Sequence, residues 1–280
     1  MANKITWLYG KTVIVTGASS GMGKDIATRL IKEHSCTVIG VARSEAKMKA
    51  FNEELGEYAK QFTYKLFDVS ILENWQDFAK WIEENNIHPD ILINNAGILP
   101  KFDKFENYSI EDIRKAMDIN FFSNVYSMKV MMPIILKSSD PGIVNVASSA
   151  AFASLAGTSV YSASKAALKG LTEAVREETR GRCYVGLVCP GFTKTDIFRN
   201  QGDDTASANK AFDLVSTPCA KMVDMIMHGI IHRKSRMAYG FDSKYMDIGG
   251  RMAPVGCSKI SSTVMKKSKL PLFDDVFKVQ

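Results

Sequence analysis

The sequence predicts a doubly wound α/β fold: a parallel sheet covered by helices on both faces, in a single domain with a C-terminal extension. Two observations predict it. Short apolar, β-branched runs alternate along the chain with longer segments of helical period, and the short runs are apolar throughout. A strand buried on both faces has that composition. Right-handed crossovers between such strands leave a ligand at their carboxyl ends. A third observation, a glycine-rich turn after the first strand, says where along the sheet that ligand sits.

The elements follow in order. Thr12–Thr16 (TVIVT) reads as a buried strand, followed by the turn and a helix over Gly23–Glu33. Cys36–Val41 is a second strand and Glu45–Tyr58 a helix; Phe62–Phe67 is a third strand. The helix Glu73–Asn85 carries Trp75, Phe78, Ala79 and Ile82 on one face, and Asp90–Ile93 is a fourth strand. A long helical stretch runs from about Ile110 to Lys137, with Pro133 expected to bend its last turns. Gly142–Ala147 is strand five, Tyr161–Arg180 a helix and Tyr184–Val188 strand six. A polar stretch reaches about Thr217, then a helix runs to about His232, and a short strand near Met237–Tyr239 completes the sheet. No repeat or low-complexity linker interrupts the chain. Residues 1–249 are read as the binding and catalytic domain and 250–280 as a basic extension.

Composition narrows the class. At 280 residues, 46% hydrophobic and 24% charged, the chain buries enough surface to fold without disulfide or metal. Its five cysteines form no C-x-x-C pair and their number is odd, which argues against a zinc knuckle or a disulfide framework. The N-terminus has no signal-peptide core, and no apolar run is long enough to span a bilayer, so a reduced, cytoplasmic protein is expected. The net charge of +6 is unevenly placed. Residues 233–280 carry ten Lys or Arg against four acids, which leaves residues 1–232 with 26 of each. Such a tail suits an anionic partner or a solvated basic surface; no nucleic-acid partner is expected. His228 and His232 lie four apart without a third ligand, so no metal site is assigned.

The turn Thr16-Gly17-Ala18-Ser19-Ser20-Gly21-Met22-Gly23 has the parts a dinucleotide needs. Gly17 permits the tight turn, Gly21 lets backbone approach a pyrophosphate, and Gly23 lets helix and strand pack closely. The helix N-terminus that follows offers free N–H groups to phosphates. In this position T-G-x-x-x-G-x-G resembles the turn of short-chain dehydrogenases/reductases. Further motifs carry the resemblance over residues 12–196. Asn94-Asn95-Ala96-Gly97 is similar to the family's N-N-A-G, and Tyr161-Ser162-Ala163-Ser164-Lys165 to Y-x-x-x-K. Pro190-Gly191-Phe192-Thr193-Lys194-Thr195 is similar to P-G-x-x-x-T, with Asn120 in the long helix and Ser148 directly after strand five. The resemblance implies a Rossmann-type oxidoreductase that moves hydride between a nicotinamide and a carbonyl/alcohol pair.

For the cofactor, the resemblance implies a site made by Gly17, Ser19, Ser20, Gly21, Met22, Gly23, Asp68, Val69, Asn95, Ala96, Gly97, Pro190, Gly191, Thr193 and Thr195, with Tyr161 and Lys165 at the nicotinamide ribose. Asp68 resembles the residue that meets the adenine amino group, and it also suits a helix N-cap. Cofactor choice turns on the end of strand two. It reads Gly40-Val41-Ala42-Arg43-Ser44, with no acid for a ribose 2′-hydroxyl, while Arg43 suits a 2′-phosphate and Lys24 adds to the field. NADP(H) is favoured over NAD(H).

Tyr161 and Lys165, four apart, share one helix face. Carbonyl reduction needs a proton donor at the carbonyl oxygen. For the reverse direction a free tyrosine is too weak a base at neutral pH, and a neighbouring ammonium, Lys165, is placed to lower its pKa by stabilising the phenolate. Ser148 is expected to hydrogen-bond the oxygen where charge develops. The resemblance gives Asn120 a water that links Lys165 to solvent. Residues 193–217 occupy the family's substrate lid. Their polar centre is Asn200–Asp204, and their apolar ends include Ile197, Phe198, Ala211, Phe212 and Leu214. The apolar group suits a steroid or other hydrophobic ketone, or it packs the lid itself. A 3-oxoacyl-thioester reductase and a non-catalytic dinucleotide sensor are the competing readings. The stretch Lys259–Leu270, with Ile260, Val264 and Met265 as its apolar face, is expected to pack on the body or a partner subunit, with peripheral membrane contact as the other possibility. The family's usual pairing through the two long helices implies a homodimer or homotetramer.

Overall fold

Seven strands lie side by side in the order β3-β2-β1-β4-β5-β6-β9, every neighbouring pair parallel. The structure is a computed structural model that describes residues 6–201, 216–268, 270 and 273–278. The strands are β1 (Thr12–Thr16), β2 (Thr37–Ala42), β3 (Phe62–Leu66), β4 (Ile91–Asn94), β5 (Gly142–Val146), β6 (Tyr184–Pro190) and β9 (Arg236–Tyr239). A separate two-residue pair joins β7 (Thr193–Lys194) to β8 (Thr217–Pro218). The chain winds outward from β1 to β3 and then returns to place β4 against β1. The strand order therefore reverses between β1 and β4, and the carboxyl ends of parallel strands open a crevice there.

The strand-forming runs are valine- and isoleucine-rich because both faces are covered. On one face β1 and β2 pack against α1 (Gly21–His34), α2 (Glu45–Glu54) and α7 (Cys219–Ile231), through Ile26, Leu30, Phe51, Met222 and Ile226. On the other they meet α3 (Leu72–Glu84), α5 (Ser123–Ile135) and α6 (Ser159–Glu178), through Trp75, Phe78, Ile82, Met128 and Met131. Ser44 caps α2 by accepting from the Lys47 amide. Helix α2 is shorter than its sequence pattern, because a 3₁₀ turn over Gly56–Gln61, with Gly56 at φ +55°, carries the chain into β3.

The predicted helix Ile110–Lys137 is interrupted. It divides into α4 (Ile110–Met117), a π turn over Asp118–Phe122, and α5, which contains Pro133 and ends at Ile135. A π turn inserts one residue into the ladder and re-aims the side chains around it. Asn120 sits in that turn.

Polar side chains tie the central strands to the second helical layer. Asn94 Nδ2 donates to Asn145 Oδ1 at 2.9 Å, Ser127 Oγ to Asn94 Oδ1 at 2.8 Å, and Asn145 Nδ2 to Thr172 Oγ1 at 2.9 Å. All four residues are buried, so each bond also satisfies a group that water cannot reach.

After β9 the chain forms α8 (Phe241–Met252), α9 (Pro254–Ser268) and α10 (Asp274–Phe277). Helix α8 runs through residues 249 and 250 without a break. The packing face of α9 is Cys257, Ser261 and Met265, spaced four apart, and not Ile260 and Val264, which point outward. With Met246 and Phe273 this face joins Leu99, Phe102 and Leu155 in a third apolar cluster. A Cβ on Gly157 (φ +78°) would collide with Val276, and one on Gly250 with the Phe152 carbonyl, so both contacts require glycine. No helix among the described residues is long and apolar enough to cross a membrane.

Asn145→Ala strands the Asn94 amide donor in the interior and removes the bond that Thr172 Oγ1 accepts, leaving Thr172 only its own bond to the Leu168 carbonyl. We expect it to lower unfolding free energy by about 1–3 kcal/mol, read as a lower urea midpoint at unchanged m-value. A shift of less than ~0.5 kcal/mol would mean that the network carries little stability.

Candidate active site

The crevice between β1 and β4 is a groove of about 410 Å³. Its floor forms where three pieces of backbone meet. Thr16 Oγ1 accepts from the amides of Asn95 and Ala96 at 2.9 and 3.0 Å, and Asn95 Nδ2 donates to the Thr16 carbonyl at 3.0 Å. Gly17 has φ +67°, and its missing side chain makes room for Asn95 and Ala96. A Cβ on Gly23 would strike the Gly17 carbonyl and the Asn95 amide, so α1 can sit this close only with glycine there. Gly21 (φ +53°) faces Thr195 across the groove.

Of the residues expected at a cofactor, Gly17, Ser19, Ser20, Gly21, Met22, Arg43, Asp68, Val69, Asn95, Ala96, Gly97 and Thr195 all line this groove. Gly23 stands behind its wall. Pro190, Gly191 and Thr193 line an adjoining cavity of about 80 Å³, together with Ser148, Tyr161 and Lys165. Met22, Asn95, Gly97 and Thr195 border both spaces, so the two are continuous.

At the outer end of the groove Arg43 lies 3.6 Å from Asp68. Burial opposes the Asp68 charge, but the Ser70 hydroxyl and amide at 2.6 and 2.9 Å, with Arg43 beside them, hold its carboxyl below the usual range. Lys24 turns away to pair with Glu54 at 2.5 Å, whereas Lys47, which the sequence reading passed over, lines the groove near Arg43. Its i+4 spacing from Arg43, across the Ser44 cap, was the available signal.

The adjoining cavity gathers the other expected residues. Ser148 lies two residues past β5 and caps a 3₁₀ turn, its Oγ accepting from the Ala150 amide and lying close enough to the Tyr161 hydroxyl to favour its ionised form. Lys165 is buried and donates to the Val146 carbonyl at 3.1 Å, its Nζ 5.9 Å from the centre of the Tyr161 ring. Asn120 is wholly buried. Its Oδ1 accepts from the Ile98 amide at 2.8 Å, and its Nδ2 donates to the Ile98 carbonyl and to Ser164 Oγ at 2.9 and 3.1 Å. A side chain on Gly97 would press on both Asn120 Oδ1 and Lys165 Nζ. The π turn thus sets Asn120 on the Gly97–Ile98 turn, the same turn that faces Lys165 Nζ.

The electrostatics differ from the expectation. Burial, opposed by the Ser148 hydroxyl, pushes the Tyr161 phenol up to about 12; it does not fall under the influence of Lys165. Burial likewise pushes the Lys165 ammonium down to about 8. Enclosure disfavours the charged form of both groups, and the two respond in opposite directions.

Asp242 also escaped the sequence reading. At the start of α8, its Oδ2 accepts from the Phe192 amide at 2.8 Å, and a Cβ on Gly191 would fall on its carboxylate. Burial pushes that carboxyl up, opposed by the Phe192 and Ser243 amides. Asp242 therefore fixes the Pro190-Gly191-Phe192 turn from behind. An acid in the first turn of a helix was the only sequence signal. The outer walls come from Phe192, Ile197 and Phe198, and the third apolar cluster continues them. The rest of the expected lid, including Ala211, Phe212, Leu214 and the polar centre at 202–204, lies outside the described residues. The rings of His228, on α7, and His232, just past its end, lie 4.2 Å apart and tilted, and no cluster of metal-ligating side chains occurs among the described residues.

Comparison with known proteins gives the family and the fold. The family described as short chain dehydrogenase matches residues 11–206. The chain belongs to the short-chain dehydrogenase/reductase family. It is an oxidoreductase of that family. It is 32% identical over 222 residues to the NADPH-dependent pterin aldehyde reductase of Arabidopsis thaliana, covering 79% of this chain and 90% of the relative. It is 33% identical over 219 residues to the 3-oxoacyl-acyl-carrier-protein reductase FabG of Vibrio harveyi, covering 78% and 86%. A short-chain dehydrogenase from Streptomyces avermitilis superposes with a TM-score of 0.75 at 25% identity, over 92% of this chain and 97% of that one.

The Lys165 shift has a consequence for stability. Between about 8 and the usual 10.5 the unfolded chain keeps this proton and the folded chain does not, so the group makes stability rise with pH across that window. Lys165→Met should remove the rise, read as the difference in urea midpoint between variant and parent at the two ends of the window. A difference that does not change with pH would show that Lys165 keeps its ordinary proton affinity.

Proposed function

We propose that this chain reduces the carbonyl of an apolar substrate, with NADP(H) as the hydride carrier. The observation that carries the reading is the continuity of the glycine-turn groove with a cavity that holds Ser148, Tyr161 and Lys165 together. The groove suits a dinucleotide. The N-terminus of α1 has neither a side-chain cap nor an acid in its first turn, so its amides are available to a pyrophosphate beside Gly21. When bound, the nicotinamide supplies hydride to the carbonyl carbon or takes it back.

The residues of the chain do the remaining work. Ser148 Oγ holds the substrate oxygen, and the Tyr161 hydroxyl gives it a proton as negative charge develops. Burial holds the phenol in its neutral form, so it has a proton to give. Lys165 steadies the phenolate left behind, at the moment when a nearby positive charge has most effect. Asn120 is a positioning residue, since it ties the Gly97–Ile98 turn to the helix that carries Lys165.

Arg43 and Lys47 at the outer end of the groove favour a 2′-phosphate, with Arg43 exchanging its loose contact with Asp68 for it. The walls of the cavity, with Leu99, Phe102, Leu155, Phe192 and Phe198, favour a hydrophobic ketone or aldehyde, and the steroid reading fits them. The relative named for 3-oxoacyl-acyl-carrier-protein reduction supports the thioester as the second reading. The residue set Asn120, Ser148, Tyr161 and Lys165 argues against a dinucleotide sensor without turnover, and a homo-oligomer paired through α4–α5 and α6 is the assembly this reading adopts.

Tyr161→Phe should bind NADPH as the parent does, by fluorescence titration, and lose turnover by roughly 10²–10⁴-fold on whichever member of a ketosteroid, oxoacyl-thioester and aldehyde panel is reduced. Retained turnover would remove Tyr161 from the mechanism. Arg43→Glu should weaken NADPH binding by roughly ten-fold or more, the loss of one charge-assisted contact to phosphate, and leave NADH nearly unchanged. Equal losses for the two nucleotides would assign Arg43 to the fold and not to the 2′-phosphate.

A further inference from the structure

The outer face of the C-terminal hairpin carries a set of side chains that the reading of the catalytic centre does not use. Phe241 is 89% exposed, Met252 and Val255 81% each, Val264 62%, Ile260 57% and Ile248 55%. On α8, at 100° per residue, Phe241, Ile248 and Met252 fall within about 40° of one another, and Lys244 and Arg251 flank them on one side. On α9, Lys259 and Lys266 are exposed beside Val255, the side that continues the α8 patch, while Lys267 is exposed with Ile260 and Val264 about half a turn round the helix. The inner faces of both helices are already occupied by the body, through Met246, Cys257 and Met265. The exposed apolar residues are thus not waiting to complete the core.

The charge that the two helices themselves turn outward is basic, with Asp274 of α10 near Lys266 as the acid beside it. The only acids in the two helices are Asp242 and Asp247. Asp242 is held by the Phe192 amide, and Asp247 by Arg236 at 2.5 Å and Arg251 at 3.4 Å. Lys244, Lys259, Lys266 and Lys267 are left as the outward charge. Two copies meeting through this face would set like charges against one another. Apolar knobs on a convex helical surface, flanked by cations, have the form of an element that lies in a lipid–water interface and meets anionic headgroups.

We propose that α8 and α9 dock this protein on the surface of an anionic lipid bilayer, with Phe241, Ile248, Met252 and Val255 entering the interface and the lysines facing the headgroups. The proposal does not depend on the chemistry assigned to Tyr161. It does give the hairpin two faces with one purpose, since the inner face closes an apolar cavity and the outer face meets the medium in which apolar carbonyls dissolve.

The test uses the full-length protein in flotation with vesicles of phosphatidylcholine, alone or with roughly 30% phosphatidylserine. Binding is expected on the anionic vesicles, at least about ten-fold weaker on the neutral ones, and weakened by added salt. The double variant F241S/M252S should lose binding while keeping its thermal midpoint and NADPH affinity, and K266Q/K267Q should bind at least roughly ten-fold less. Absence of binding, equal binding to both vesicle types, or unchanged binding by F241S/M252S would each overturn the proposal. So would light scattering that shows an oligomer of the parent and a monomer of F241S/M252S, because the face would then be an interface between copies of the chain.

Discussion

The close approach of β1, α1 and the end of β4 is the constraint on which the rest of the molecule depends. Gly23 lets α1 touch the Gly17 carbonyl, and Asn95 and Thr16 lock the two strand ends by three hydrogen bonds. That junction lies where the strand order reverses, so any loosening opens the floor of the groove. It also fixes Gly97 and Ile98, on which Asn120 closes, and through Ser164 reaches the helix of Tyr161 and Lys165. Backbone packing at one point therefore carries over to the placement of side chains about two strands away.

Burial then decides the electrostatics. Tyr161 and Lys165 are both driven toward their neutral forms, and a neutral phenol is ready to donate a proton. The same low-dielectric setting magnifies any charge brought near the pair, so the state of the site responds to what occupies it. Asp242 shows the structural counterpart. A half-buried carboxylate satisfies the Phe192 amide behind the Pro190–Phe192 turn, which offsets part of the cost of withdrawing it from water.

The C-terminal helices finish the cavity from a distance in sequence. Leu99 and Phe102 lie after β4, Leu155 before α6, and Met246, Cys257 and Met265 on α8 and α9, yet they form one cluster with Tyr161 at its margin. Lys101 adds an ion pair with Asp275 at 2.6 Å between the β4 loop and α10. The apolar wall of the cavity is thus built from segments that share no local sequence pattern.

By itself the sequence determined the strands and helices in their order along the chain and named most of the residues that line the groove and its adjoining cavity, because those are written in local terms: apolar runs for strands, glycines where backbones touch, and an i+4 spacing for Tyr161 and Lys165. It also placed the charge excess in the tail. Tertiary structure decided what depends on enclosure and rotation. The π turn at Asn120 interrupts a pattern that reads as continuous helix, since a ladder shifted by one residue leaves the apolar period nearly intact. The pKa direction of Tyr161 follows from the atoms around it and not from its neighbour on the helix. Lys47 in place of Lys24 beside Arg43, and Asp242 behind Gly191, depend on which helix meets which loop. The outward turn of Ile260 and Val264 was set by the body, which took Cys257 and Met265 as the better-fitting face and left the other to solvent.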